Sequence, residues 1–419
     1  MRNRLFSCHQ ACLAMALLLP ISSANALELH TAVEQALQRD EGLKALIRRH
    51  DATEDRAIAD AALPDPEIVL GAQGVPVDDP FGSDMMTMYM LGVRQRFPAG
   101  QSRQLAGERS RSDGAVLSKE YQARRLEIIR EVRLAWLDWA AATRVLDVAD
   151  DGLEAFNQLL QLTEARYRSG SGRQRDVDQA RLERSLMARR IIDTQTRIDE
   201  AGSNLARWTG ILPSESGPSA LPDWPSRSDL IDIRTDLADH PVIEADVQRV
   251  ESGQINTELA RQAYRPSWMI EAGYAHQPGS GPMGGRMSDK FFGMVSFSVP
   301  LFTANRQDRR VAAAAAEVDA LDHQHQLRLQ EWEGRARNQV TTMKSQQRRL
   351  ELLDEIILPE ARRTLDSTLQ AYRTDRASFD ELVRARLSEL DQQIETIQTR
   401  RALLKARAEL AYLTAEELP

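Results

Sequence analysis

Cysteine is nearly absent from this chain of 419 residues, which contains only Cys8 and Cys12. Both lie in an N-terminal segment that we expect to be removed on export. The mature chain would then have no thiol at all. This excludes a disulfide framework, thiolate catalysis and a cysteine-ligated metal site.

The N-terminal segment is typical of a signal peptide. Arg2 and Arg4 form a basic start, an apolar run ending in AMALLLPISS follows, and Ala24-Asn25-Ala26 fits a small-x-small cleavage site. The run is too short for a membrane anchor and a proline interrupts it. We therefore predict a signal peptide over 1–26 and a mature chain that begins at Leu27.

Long apolar runs are also absent after residue 26, and none approaches the roughly 18 residues that a spanning helix requires. An exported chain of this kind is periplasmic, secreted, or a β-barrel whose short alternating strands hardly register in hydropathy. The signal peptide holds two arginines and no acid, so its removal changes the net charge from −8 to −10. This negative balance argues against nucleic acid as a partner.

Catalytic signatures are missing as well. The sequence contains no G-x-x-x-x-G-K-[ST] phosphate loop, no G-x-S-x-G nucleophile motif and no H-E-x-x-H zinc motif. Acid pairs are frequent, but they fall on charged helical faces where they are ordinary solvated side chains. We predict that the protein is not an enzyme, with no catalytic residue and no cofactor.

An internal repeat dominates what is present. The stretch ARYRSGSGRQRDVDQARLE returns as QAYRTDRASFDELVRARLSE, so that Tyr167-Arg168 becomes Tyr372-Arg373 at an offset of 205 residues. The shared order of elements predicts two halves of one plan. Their predicted bounds are 27–212 and 230–419, joined by a connector rich in Pro and Ser over 213–229.

Each half is predicted to run helix, strand, loop, strand, long helix, turn, long helix, which makes the fold mainly α with a small β part. In the first half these are a helix over 30–62, strands over 67–73 and 85–97, and a long helix over 101–167. In the second half they are a helix over 239–263, strands over 267–276 and 289–299, and a long helix over 305–372 with a kink at Pro359.

The long helices carry narrow apolar stripes on otherwise charged surfaces, which predicts coiled-coil packing. A helix over 101–167 would be roughly 100 Å long, far more than an ordinary globular domain needs. The predicted seam residues are Leu153, Phe156, Leu160 and Tyr167 in the first half, and Leu387, Leu390, Ile394, Ile397, Leu404, Ala408 and Ala411 in the second.

The predicted strands alternate between an apolar, aromatic face and a mixed or charged face. This pattern fits a barrel strand between lipid and a wet lumen, and it equally fits a half-buried sheet packed on helices. Four strands cannot close a barrel, and exposed edges invite aggregation. If the sheet is a barrel segment, other copies of the chain must complete a ring.

The duplicated plan, the two Tyr-Arg turns and the prolines that close each strand pair resemble the TolC family of outer-membrane efflux channels. The segment GVRQRFPAGQSRQ (92–104) is similar to the Gln-x-x-Pro segment of the CzcC- and CusC-like cation-efflux branch. It departs from that branch after Gly100, where Gln101 stands in place of a basic residue. The resemblance implies a homotrimer with a twelve-stranded barrel in outer-membrane lipid and a large periplasmic α-barrel.

The resemblance also implies two kinds of site at the turns. The turns would dock a periplasmic adaptor protein through Tyr167, Arg168, Gly170, Gly172, Tyr372, Arg373 and Ser378. Acids beside the turns would ring a pore and favour cations, with Arg384 holding the closed state; these gate residues are Asp176, Asp178, Asp380, Glu381 and Arg384. The glycines could equally serve chain reversal alone, and the acids could equally be helix caps.

Methionines form the one candidate metal feature. Met86, Met88 and Met90 fall on one predicted strand face, and thioethers suit Cu(I) or Ag(I). Methionine is also a common apolar filler, and neither Cys nor His lies close by. We therefore predict no metal site in the resting protein.

The predicted function is an outer-membrane channel of a Gram-negative bacterium, which works with an adaptor and an inner-membrane RND pump to export heavy-metal cations. Two alternatives remain. The same fold could serve multidrug efflux or type I protein secretion, or the chain could be a periplasmic coiled-coil scaffold without a pore.

Overall fold

The computed structural model describes residues 27–77, 84–214, 217–218, 220–225, 235–281 and 283–418. The predicted signal peptide lies outside these residues. The first half contains α1 (Leu29–Arg39), α2 (Glu41–Ala61), β1 (Glu67–Gln73), β2 (Met88–Phe97), α3 (Ser102–Arg168) and α4 (Gln174–Thr209). The second half contains α5 (Pro241–Arg261), β3 (Trp268–His276), β4 (Lys290–Phe297), α6 (Gln307–Leu352), α7 (Leu358–Arg373) and α8 (Phe379–Leu413).

The two halves place their long helices at the same offset as the sequence repeat. Helix α3 runs unbroken for 67 residues and ends within one residue of its predicted bound. Adding 205 to its first and last residues gives Gln307 and Arg373, where α6 begins and α7 ends. Each half therefore has a leg of about 100 Å, since an α-helix rises 1.5 Å per residue.

The second leg is interrupted by a π-helical segment over Leu353–Ile357. Pro359 lies in the first turn of α7, directly after this segment. A proline ring clashes with the carbonyl four residues earlier, here that of Glu355, and it donates no hydrogen bond. The position predicted for a kink thus coincides with a local change of helix type, one turn before the proline.

The helix predicted over 30–62 is wrong in one respect, because it is two helices that meet at Asp40. The backbone of Asp40 is extended, and its carboxylate accepts a hydrogen bond from the Leu43 amide at 2.8 Å. Arg124 of α3 donates to the other carboxylate oxygen at 2.8 Å. Asp40 therefore caps the N-terminus of α2, and Arg124 ties this cap to α3.

Helix packing buries three apolar clusters along the legs. One surrounds Trp136 and Trp139 of α3 with α1, a second lies between α3, α4, α7 and α8, and a third joins α6 to α8 around Trp332. Most predicted seam residues are buried there, including Phe156 and Leu390. Leu153, Leu387 and Ile397 are half-buried, and Tyr167 is exposed at the end of α3. Among the described helices, none is both long and apolar enough to cross a membrane.

The four strands form one antiparallel sheet in the order β1-β2-β3-β4. The central pair joins the two halves, with Phe97 opposite Trp268 and Arg94 opposite Glu271. Strand β2 begins at Met88 rather than 85, because residues 84–87 form a turn in which the Thr87 hydroxyl donates to the Gly74 carbonyl at 2.9 Å. Met86 therefore lies outside the strand face that the sequence assigned to it.

One face of the sheet is apolar and exposed across all four strands. Its members share alternate positions in register, and no helix covers them. They include Ile68 and Leu70 of β1, Tyr89, Leu91 and Val93 of β2, Trp268, Ile270 and Tyr274 of β3, and Phe291, Val295 and Phe297 of β4.

The opposite face is polar and tightly spaced at its centre. Arg94 forms salt bridges with Glu271 at 2.8 Å and with Glu67 at 3.6 Å, which links three strands. The Phe292 ring lies over Gly273, where an added Cβ would fall 2.6 Å from the ring and 2.5 Å from the Leu91 carbonyl oxygen. Glycine at 273 thus lets the two halves of the sheet meet.

We predict that Gly273→Ala weakens the sheet by about 1–3 kcal/mol, as overpacking does in closely packed sites. The matched control is Gly293→Ala on β4, where an added Cβ would meet no atom within 4 Å. Thermal unfolding of the purified assembly in detergent measures the effect. Equal unfolding temperatures for the two variants would contradict the assigned role of Gly273.

Candidate docking and gate site

Both legs end in the same turn, built from different residues. In the first turn the Ser171 amide donates to the Arg166 carbonyl at 3.0 Å, and in the second the Arg376 amide donates to the Ala371 carbonyl at 2.8 Å. The residue between them adopts a positive φ in both cases, 76° at Gly170 and 59° at Asp375. The repeat in sequence is therefore a repeat in backbone geometry, although only the first turn uses the residue type that favours it.

The two glycines of the first turn have different roles. An added Cβ at Gly172 would lie 2.9 Å from both the Arg166 Cβ and the Tyr167 amide nitrogen, so Gly172 is required by the turn itself. At Gly170 an added Cβ would meet nothing within 4 Å. Gly170 therefore leaves exposed backbone with open space beside it, and its positive φ is what favours glycine there.

Arg166 joins the two turns, and sequence reasoning did not find it. Its guanidinium donates to the Tyr372 carbonyl at 3.2 Å, forms an ion pair with Asp375 and lies over the Tyr372 ring with a centroid distance of 4.9 Å. Its side chain is only 16% exposed. Because its partners lie more than 200 residues away, no local pattern marks it; its counterpart in the second turn is Ala371.

The two tyrosines of the Tyr-Arg turns face different surroundings. Tyr167 is exposed, whereas Tyr372 is buried and packs against the Phe379 ring at 5.7 Å between centroids. Burial, and then the nearby Asp176 carboxylate, raise the pKa of Tyr372. Tyr372 supports the second turn from within, so its predicted place on a docking surface is wrong for this arrangement of the chain.

The predicted gate acids differ in the groups that they contact. Glu381 forms a capping box with Ser378, and these hydrogen bonds, backbone first, lower the pKa of Glu381. Asp380 pairs with Arg175 of the first turn, at the equivalent position 205 residues earlier. The alternative interpretation as helix caps therefore holds for Glu381, while Asp380 ties the two turns together.

The remaining gate residues have fewer contacts. Asp178 accepts a hydrogen bond from the Gln174 side chain at 3.0 Å, and Asp176 lies near Tyr372. Arg384 donates to the Asp380 main-chain carbonyl at 3.2 Å rather than to a carboxylate. Arg168, Gly170, Arg373 and Ser378 are exposed around the turns.

No group of His, Cys, Asp and Glu residues that could hold a metal ion occurs in the described part of the chain. Met88 and Met90 share the polar face of the sheet, but Met90 packs over Gly71, where an added Cβ would lie 3.2 Å from its methyl group. Arg94 lies on the same face. Met90 is therefore a packing group of the sheet.

Comparison with known proteins decides the family. A family model described as outer membrane efflux protein matches residues 32–211 and again 233–416. The chain belongs to the outer membrane efflux protein family. Its members are channels rather than enzymes, are trimeric, and work with a periplasmic adaptor and an inner-membrane pump. The family assigns the protein to the outer membrane, with a large periplasmic helical part.

Solved structures of family channels share the fold. The VceC outer membrane protein of Vibrio cholerae is 19% identical with a TM-score of 0.75, over 93% of this chain and 96% of that one. CusC is 14% identical with a TM-score of 0.78, over 93% and 92%. The open MtrE channel of Neisseria gonorrhoeae is 15% identical with a TM-score of 0.74, over 94% and 93%. A comparison with curated proteins gave no significant match.

We predict that Arg166→Ala lets the two turns separate, because it removes the surface ion pair with Asp375 and the hydrogen bond to the Tyr372 carbonyl, each of which contributes about 1 kcal/mol or less. The two cysteines of the chain, Cys8 and Cys12, both lie in the predicted signal peptide, so spin labels at Ser169→Cys and Thr374→Cys would report the distance between the turns. Labelled protomers are diluted with unlabelled ones. The exposed Arg168→Ala is the control, and identical distance distributions in both variants would rule out the bridging role of Arg166.

Proposed function

We propose that three copies of this chain form an outer-membrane channel that exports heavy-metal cations. The channel works with a periplasmic adaptor and an RND-type inner-membrane pump, which selects the cargo and supplies the energy. The chain itself provides a sealed, gated and passive path.

The exposed apolar face of the sheet carries this proposal. Aromatic residues mark both of its ends, with Trp268 and Phe297 beside the helices and Tyr274 and Phe291 six residues away. Six strand residues span roughly 20 Å, which is comparable to the apolar band of an outer-membrane barrel. Strands β1 and β4 each have one unpaired edge within the chain, and three such sheets joined edge to edge would close a ring.

The legs extend this ring across the periplasm in the proposed assembly. Three chains with two turns each would present six turns at the far end. We assign adaptor docking to the exposed residues there, with Gly170 as the open backbone position and Arg168 and Arg373 beside it. The resting gate would be held by the links between turns, Arg166 to Asp375 and Arg175 to Asp380. Because surface ion pairs contribute only about 0–1 kcal/mol each, the binding of an adaptor could open the gate.

Support for metal cargo comes from the resemblance of 92–104 to the cation-efflux branch and from the negative charge of the chain. The segment also has a structural part. The Gln95 side chain donates to the Pro64 carbonyl at 2.8 Å, and Gly100, with φ of 53°, lies against the Gln262 and Arg265 side chains. These contacts tie the end of β2 and the residues that follow it to the segments that precede β1 and β3.

For the gate we predict that Asp176→Asn with Asp178→Asn lowers the preference for cations. Both changes keep side-chain size and remove negative charge beside the turns. Reversal potentials in planar bilayers under a salt gradient measure the preference. Asp199→Asn, higher on the same helix, is the control. An unchanged reversal potential in the double variant would exclude both acids from the pore.

For the cargo we predict that a deletion strain loses resistance to a group of metals among Zn, Co, Cd, Ni, Cu and Ag salts. The complemented parent should regain it. The survival panel includes drugs and detergents, and a secretion assay runs beside it. Sensitivity confined to drugs, or loss of a secreted protein, would overturn the metal assignment while keeping the channel. The scaffold alternative predicts a protein that stays soluble without detergent.

A further inference from the structure

The boundary between the sheet and the legs carries a group of arginines on the second half of the chain. Arg265 follows the 3₁₀ turn after α5, and Arg306, Arg309 and Arg310 lie at the start of α6. All four are exposed. We call these four residues the arginine collar.

Two hydrogen bonds hold the collar together. The Tyr264 hydroxyl donates to Asp308 at 2.6 Å, and the Gln307 side chain donates to the Ala263 carbonyl at 3.5 Å. Arg265 is the neighbour of Tyr264, and Arg309 is the neighbour of Asp308. The two sequence segments therefore present their arginines at the same level of the molecule.

The collar has an excess of positive charge. Nearby carboxylates already have partners, since Asp308 accepts from Tyr264, Glu258 pairs with Arg261, and Glu67 pairs with Arg94 and Arg96. None of the four collar arginines forms a salt bridge with a carboxylate in the described part of the chain. Their exposed guanidinium groups are therefore available to an anionic partner.

The fold alone does not require these arginines. At the equivalent start of α3, 205 residues earlier, Gln101, Gln104 and Leu105 stand where Arg306, Arg309 and Arg310 stand in α6. Positive side chains in the first turn also oppose the helix dipole, so they do not stabilise α6 locally. The second half alone combines this charge with large exposed apolar groups, Leu301 at 74% and Phe302 at 88% exposure.

The collar adjoins one end of the exposed apolar sheet face. Trp268 lies three residues after Arg265, and Phe297 is opposite Trp268 in the sheet. Aromatic side chains at an apolar boundary, followed by arginines, are the pattern that meets a lipid headgroup layer. We propose that the arginine collar binds anionic phospholipid headgroups in the periplasmic leaflet of the outer membrane. This rests on the proposed insertion of the sheet into that membrane.

The experiment uses the full assembly in nanodiscs of phosphatidylcholine, alone or mixed with phosphatidylglycerol. We expect the anionic lipid to raise the unfolding temperature of the wild type by about 5 °C. The variant Arg306→Gln/Arg309→Gln/Arg310→Gln should lose this rise, and high salt should reduce it in the wild type. The collar variant should also retain less phosphatidylglycerol than the wild type during purification, as measured by native mass spectrometry.

The control replaces three exposed arginines far from the collar, Arg184→Gln, Arg348→Gln and Arg363→Gln. A loss of the rise in this variant too, or no rise in the wild type, would overturn the collar. The proposal would also be overturned if free glycerol phosphate stabilised the wild type as much as phosphatidylglycerol does, because the ligand would then be a soluble anion rather than a lipid. If the assembly of the collar variant dissociates to the same extent in both lipid compositions, the collar contacts a neighbouring copy of the chain rather than lipid. Failure of the wild type to enter either nanodisc would instead count against the proposed channel.

Discussion

Unpaired backbone at the two edges of the sheet is the constraint on which the rest of the structure depends. An apolar sheet face belongs in an apolar environment, where every free N–H and C=O group is costly. The chain satisfies the inner edges by pairing β2 with β3, which joins its two halves. Within the described residues one edge of β1 and one edge of β4 stay unpaired, so a single copy placed in a membrane would have two unsatisfied edges. The glycine contact under Phe292 matters because it allows that central pairing.

The turns at the other end solve a different problem with the same backbone. Three equivalent main-chain hydrogen bonds form around Gly170 and Asp375, although one turn is rich in glycine and serine and the other is not. The side chains around the two turns differ in the contacts they make, although the backbone geometry is the same. Arg166 reaches across to the second turn, while its counterpart Ala371 has no such reach. The two turns therefore share a backbone geometry and differ in the side chains that link them.

Much of the fold was predictable because the elements are long and strongly patterned. Helix α3 was placed within one residue, since narrow apolar stripes continue for 67 residues without a proline. The strands were recognised from alternation, but the turn before Met88 was not, because methionines continue the pattern through it. The break at Asp40 was missed because helical periodicity persists across it. Arg166 could not be found, since its contacts exist only once the two turns pack together. The site roles themselves remain predictions.

The two legs have the same number of residues, but only the second contains a π-helical segment, over Leu353–Ile357. This segment changes the direction in which the side chains beyond it point around the helix axis. One additional residue in a turn displaces everything beyond it by roughly 100° around the helix axis. The first leg carries no such slip over its unbroken 67 residues. A face that continues straight along α3 is therefore rotated between α6 and α7. Two legs with the same number of residues therefore reach their turns with their side chains rotated differently around the helix axis.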